Sequence, residues 1–139
     1  MRNPIRTTIW VTGLAATALL TAGTPATASP AADEYISVYK QGDGTNNVAS
    51  DGFAKSRGGV NLGYSCNATS GDTSNTRAQI VSLNQTTAYR DFPAICDGDW
   101  HYHDNLNVSS NTAMRVRVHV YSAGRVNASV LANCYGRKL

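Results

Sequence analysis

The sequence has few charged residues and no long hydrophobic run. Lysine and arginine together number 12 and aspartate plus glutamate 9 in 139 residues, so charged side chains make up 15% of the chain. The longest apolar run extends from Ile9 to Leu20, and Pro25 follows it closely. A helix needs about 20 apolar residues to cross a bilayer, and this run is shorter. We therefore expect no membrane anchor.

The N-terminus has the order of parts that is typical of a secretion signal. Arg2 and Arg6 precede the apolar run. Ala26-Thr27-Ala28 follows it with the small-x-small pattern that a signal peptidase recognises. This order predicts a cleaved signal peptide over residues 1–28 and a single secreted domain over residues 29–139. Cleavage removes two of the twelve basic residues, which leaves ten against nine acidic ones and a net charge near +1. Such a chain lacks the clustered basic residues that contact several phosphates, so we expect no nucleic-acid partner.

No stretch after the signal repeats apolar residues at helical spacing over three turns. Short alternating segments recur instead, separated by glycine, asparagine, aspartate and serine. The clearest is Met114–Tyr121, in which every second residue is apolar. The pattern predicts an all-β domain, either a small antiparallel sandwich or a barrel, of about seven short strands. The predicted strands are Tyr35–Tyr39, Val60–Tyr64, Arg77–Leu83, Tyr89–Ile95, Trp100–His103, Met114–Tyr121 and Ser129–Tyr135.

Turn residues predict how some of these strands are connected. Asn84–Thr87 has a length that suits a hairpin between the third and fourth strands. Pro93 places the fourth strand at a sheet edge or ends it early, because proline has no N–H to donate to a ladder. Ser122–Arg125 is a short turn, so we expect the last two strands to pair as a hairpin.

The cysteine count is odd, with Cys66, Cys96 and Cys134 all after the signal. Export permits disulfides, so one intramolecular disulfide and one leftover thiol are expected. Three pairings are possible, and the sequence does not choose among them. The leftover cysteine either is buried and inert or joins a second chain. The buried interpretation is favoured, because an unpaired cysteine behaves as a small apolar residue.

The densest polar segment, Asp97 to Asp104, suggests a metal site. In an extended conformation Asp99, His101 and His103 point to one side. Two imidazoles and a carboxylate are ligands that zinc or copper takes, and His119 adds a further ligand if its strand lies alongside. The simpler interpretation is an exposed strand face with two titratable histidines, and then no cofactor is needed.

The other side of the same segment suggests a binding platform. Trp100 and Tyr102 alternate with the histidines, and a sugar ring or a protein partner can stack on such rings, with Asp97 and Asn105 nearby as hydrogen-bonding groups. However, Trp100 is the only tryptophan after the signal, and a single tryptophan in a small β domain is usually a core residue. The same alternation would then leave the histidines exposed.

The chain has little that points to catalysis. Residues 63–67 read Gly-Tyr-Ser-Cys-Asn and lack the second glycine of a G-x-S-x-G elbow. Glu34 is the only glutamate, so paired carboxylates for glycoside cleavage would have to be aspartates, which usually form turns. We therefore expect no catalytic residue.

The leading hypothesis is a secreted, non-enzymatic protein that binds an extracellular protein, as an inhibitor or toxin would, or a cell-surface glycan. A metal-binding protein is the alternative, and an extracellular hydrolase is the third. The oligomeric state is left open.

Overall fold

The computed structural model describes residues 34–139, and all regular structure in this range is β-strand. The predicted signal peptide, residues 1–28, lies outside the described residues. No helix of the described range is long and apolar enough to cross a membrane. The eight strands are β1 (Glu34–Thr45), β2 (Asn47–Ala49), β3 (Phe53–Ser70), β4 (Thr76–Ser82), β5 (Ala88–Pro93), β6 (His101–Leu106), β7 (Ala113–Val120) and β8 (Arg125–Lys138).

All the strands belong to one antiparallel, open sheet in the order β1-β8-β3-β7-β4-β5, with β6 paired to β3 and β2 paired to β7. The all-β, antiparallel class predicted from the sequence is confirmed. The strand count is eight rather than about seven, because β2 has three residues and is too short to show an alternating pattern. The hairpin of β4 and β5 is confirmed, and β5 is an edge strand that ends at Pro93, as expected.

The expected hairpin of the last two strands is wrong. Strand β7 pairs with β4, β2 and the start of β3, whereas β8 pairs with β1 and β3. The turn between β7 and β8 is held against another loop, since a Cβ added at Gly124 would lie 2.2 Å from the carbonyl oxygen of Asp72. The chain therefore passes at this point from one half of the sheet to the other.

The core lies on one side of the sheet. Alternate side chains of β8, from Val126 to Cys134, are buried, and so are those of β7 from Met114 to Val120. These residues belong to one hydrophobic cluster with Ile36, Val38, Val60, Leu62, Tyr64 and Ile80. Because the cluster contains side chains from both halves of the strand order, the sheet must curl around its own apolar face. Phe53 and Ala54 link the halves by pairing with both β8 and β7.

Candidate ligand-binding face

Strand β6 and Trp100, the residue before it, present their aromatic side chains to solvent and the two histidines to the protein. Trp100 is 40% exposed and Tyr102 is 57% exposed, whereas His101 and His103 are half-buried. The expectation that Trp100 is a core residue and the histidines are exposed is therefore wrong. The reason lies in the register with β3, which places His101 opposite Tyr64, a residue that is 1% exposed, and so turns His101 toward the core.

The two histidines are engaged in ring contacts. The centroid of His101 lies 5.3 Å from that of Tyr64, and the centroid of His103 lies 3.9 Å from that of Phe92, both in stacked arrangements. Asp97 Oδ1 is 2.8 Å from His101 Nε2. This hydrogen bond, with a second from the backbone N–H of Asp99, lowers the pKa of the Asp97 carboxyl.

The structure brings together no metal-binding set in the part of the chain that it describes. No three histidine, cysteine, aspartate or glutamate side chains in residues 34–139 are close enough to hold a metal ion. His101 uses Nε2 toward Asp97 rather than toward Asp99. His119 lies on β7, opposite Asn47 of β2, and contacts Tyr121. The zinc or copper hypothesis thus has no assembled site among these residues.

The segment that leads into β6 is fastened to the end of β3. Cys66 and Cys96 form a disulfide, and the backbone N–H of Gly98 donates to the carbonyl of Cys66. The Tyr64 hydroxyl accepts a further bond from the N–H of Ile95. The predicted disulfide is confirmed with this pairing, and the leftover Cys134 is buried, 2% exposed. These bonds hold Trp100 at a defined position beside β3.

Neighbouring strands continue the exposed surface of β6. Tyr39 on β1 is opposite Leu131 on β8, Leu131 is opposite Gly63 on β3, and Gly63 is opposite Tyr102 on β6. We call this row, together with Trp100, the aromatic face. At about 4.8 Å between strands, the backbones of Tyr39 and Tyr102 are about 14 Å apart, which is longer than a single sugar ring.

The rings at one end of the aromatic face lie flat. A Cβ added to Gly63 would lie 2.9 Å from Cε1 and 3.1 Å from Cδ1 of Tyr102, so the tyrosine ring rests on the glycine. Trp100 and Tyr102 are nearly parallel, with an interplanar angle of 16° and centroids 6.0 Å apart. The sheet therefore supports the Tyr102 ring at Gly63, and 57% of this residue is exposed.

The rows beside the aromatic face carry neutral hydrogen-bonding groups. On one side Ser37, Asn133 and Asn61 are aligned across β1, β8 and β3. On the other side Gln41, Ser129 and Ser65 are aligned in the same way. The Tyr39 hydroxyl is 3.2 Å from both Gln41 Oε1 and Ser129 Oγ, which joins the aromatic row to this polar row. The surface therefore combines ring faces with amides and hydroxyls and has no charged residue within these three rows.

Of the four predicted binding residues, two lie together and two do not. Trp100 and Tyr102 form the end of the aromatic face. Asp97 is held toward the histidine side by its bond to His101. Asn105 lies at an irregularity of β6, with a φ of 53°, where its N–H donates to the side chain of Asn61. Asp97 and Asn105 therefore shape the strand rather than extend the platform.

Sequence reasoning missed the contribution of the other strands. Tyr39, Leu131 and Gly63 join the face only through the sheet register, which is set between strands far apart in the chain. One signal was present, since Tyr35 and Tyr39 share one face of an alternating segment.

Asp91 and Asp97 are not arranged for acid catalysis. The Arg77 side chain lies 2.8 Å from Asp91, and its hydrogen bond lowers the pKa of that carboxyl. The pKa of Asp97 is lowered as well, with His101 as the main cause. Glycoside cleavage needs a carboxyl with a raised pKa, so neither of these two residues suits that role.

Comparison with protein-family models and with curated proteins returns no match. Among solved structures, the crystal structure of FlhE is similar over 74% of this chain and 98% of that chain, at 14% sequence identity and a TM-score of 0.38. This likeness is too weak to carry an argument about fold or function.

Proposed function

We propose that this chain is a secreted, non-enzymatic binding domain whose aromatic face takes an extracellular glycan. The observation that carries the proposal is the pair of exposed, nearly parallel rings of Trp100 and Tyr102. A sugar ring has C–H groups that pack on an aromatic face and hydroxyls that need hydrogen-bonding partners. The aromatic face supplies the first requirement, and the neutral rows beside it supply the second.

The uncharged composition of the three rows favours a glycan over a protein partner. Arg57, whose guanidinium lies 3.9 Å from the centroid of the Tyr135 ring, stands in the next row of β3 and β8. Exposed tryptophan and tyrosine also anchor protein interfaces, so the rings alone do not separate the two. Protein hot spots are enriched in arginine as well as aromatic residues, and the three aligned rows contain only serine, asparagine, glutamine, tyrosine, leucine and glycine. Amides and hydroxyls match sugar hydroxyls, which are both donors and acceptors.

The proposal includes export and a sandwich-like closure of the sheet. Export is supported by the signal-like order of residues 1–28 and by the disulfide of Cys66 with Cys96, which suits an oxidising compartment. Closure of the sheet into a small sandwich is supported by the single buried cluster shared by both of its halves. Intact-mass analysis of protein from culture medium is expected to show a chain that begins at Ser29, and a retained Met1 would contradict export with cleavage.

The binding test compares the wild type with Trp100→Ala and Tyr102→Ala. Isothermal titration against neutral glucans, mannans and chitin oligosaccharides is expected to show saturable binding to at least one of them. If a stacked sugar covers about 60 Å² of one ring at about 25 cal/mol per Å², loss of that ring costs about 1.5 kcal/mol, or about tenfold in Kd.

The control is Tyr121→Ala, which removes an exposed tyrosine outside the aromatic face. Because the Tyr121 hydroxyl bonds to Gln79 and Arg117, the stability of this variant is measured first. The substitution should leave glycan affinity unchanged, provided that thermal unfolding shows the variant to be folded. The proposal fails if none of these glycans binds, or if one binds with equal affinity to the wild type and to both face variants. Binding that is equally weakened by the control would show a general loss of structure instead of a specific site.

A further inference from the structure

Strand β1 is an end of the sheet with one unpaired edge. It pairs with β8 on one side, and no described strand pairs with its other side. The ladder runs without interruption from Glu34 to Gly42, and its first irregularity comes after Gly42. A long and regular edge presents a row of free backbone donors and acceptors, which is a template for another strand.

The unpaired edges of β2, β5 and β6 are less suited to such pairing, and β2 has only three residues. Strand β5 has six residues, carries Arg90 and Asp91, and ends at Pro93. Strand β6 is interrupted at Asn105, where the backbone takes a positive φ and the register with β3 shifts. Short length, charge, proline and bulges are the usual means by which an edge is protected. Over residues 34–42, β1 has only Glu34 and Lys40 as charged residues.

We propose that the β1 edge pairs with the β1 edge of a second copy of this chain, in an antiparallel register centred on Ser37. The sequence of β1 is self-complementary in this register. Glu34 of each copy lies opposite Lys40 of the other, Tyr35 lies opposite Tyr39, and Ser37 lies opposite its own equivalent. The charged pair at each end is then neutralised, and the Tyr35 and Tyr39 rings meet as aromatic cross-strand pairs.

The resulting assembly is a closed dimer with two-fold symmetry, because each copy uses its β1 edge and no β1 edge remains to bind a third copy. The two-fold axis is perpendicular to the strands and to the local sheet. Both aromatic faces therefore lie on the same side of a continuous sheet, with the β1 strands at its centre. This inference does not rest on the proposed glycan function, since it concerns only the edge of β1.

The first test is a charge exchange measured by sedimentation equilibrium at concentrations up to about 1 mM, because an interface of this small size gives a weak dimer. The wild type is expected to be in a monomer–dimer equilibrium. Lys40→Glu places like charges opposite each other at both ends and should raise the dimer Kd by about tenfold or more. The double variant Glu34→Lys, Lys40→Glu restores opposite pairs and should restore the dimer.

The second test fixes the register by a crosslink. Ser37→Cys places two thiols directly opposite each other, at a Cα separation of about 4.5–5.5 Å, which lies within the range of a disulfide. It should form a covalent dimer under mild oxidation. Gln41→Cys is the matched control, because it lies on the same face of β1 but its counterpart in this register is residue 33.

A wild type that stays monomeric up to the highest concentration would overturn the inference. So would a dimer that tolerates Lys40→Glu, or crosslinking that is as fast for Gln41→Cys as for Ser37→Cys. None of these results bears on glycan binding by Trp100 and Tyr102, which is measured on the same proteins separately.

Discussion

Removal of the disulfide tests how the aromatic face is held in place. Cys66 and Cys96 are separated by 30 residues, so their bond closes a loop that contains β4, β5 and the segment leading toward β6. Chain-entropy arithmetic for a loop of this length gives about 3.7 kcal/mol of stabilisation at 25 °C. The double variant Cys66→Ala, Cys96→Ala should lose about this much free energy of unfolding. For a domain of this size, Tm should fall by about 15 °C or more.

Urea unfolding followed by circular dichroism measures the difference. Reductant should lower the stability of the wild type to that of the double variant and leave the double variant unchanged. The double variant also frees the residues before β6 from the end of β3. Its glycan affinity should therefore fall severalfold, even under conditions in which the variant is folded. The reasoning assumes that this loop is unconstrained in the unfolded chain without the disulfide. A loss of less than about 1 kcal/mol in the free energy of unfolding would refute that assumption.

Three further predictions concern single residues. Gly63→Ala places a Cβ 2.9 Å from the Tyr102 ring, so titration calorimetry should show weaker glycan binding with little loss of stability; unchanged affinity would mean that the ring pose does not matter. Cys134 is buried and burial raises its pKa, so a thiol reagent should find no reactive thiol in the native protein and one after denaturation. Burial, and next the charge of Arg117, lower the pKa of His119 below 6.5, so its stabilisation is present above that pH and is lost as the pH falls through the folded-state pKa. His119→Gln should therefore flatten the fall in urea midpoint between about pH 7 and pH 5, and an unchanged slope would count against this assignment.

The alternating pattern predicted much of the local structure. Seven of the eight strands, the β4–β5 hairpin and the end of β5 at Pro93 follow from residues that are adjacent in the chain. Strand β2 was missed because three residues show no period. The β7–β8 pairing was predicted wrongly because a short connection favours a hairpin, whereas the apolar faces of these strands belong to different halves of the sheet.

The candidate site was predicted only in part, because local alternation does not determine how distant strands pair. Alternation establishes that Trp100 and Tyr102 share a side opposite His101 and His103, but it does not say which side faces the core. That choice depends on the register with β3, in which the buried Tyr64 lies opposite His101 and contacts its ring. The row from Tyr102 to Tyr39 depends on the register of four strands, and no local pattern encodes it.

Trp100 provides the most direct measurement of the central claim. After removal of residues 1–28 it is the only tryptophan in the chain, so selectively excited tryptophan emission reports on the aromatic face. Titration of the processed protein with the neutral oligosaccharides is expected to produce a saturable change in emission, as the exposed indole becomes covered by a sugar ring, and Tyr102→Ala should weaken it. Emission that stays unchanged with every sugar, while the protein remains folded, would contradict a glycan site on this face.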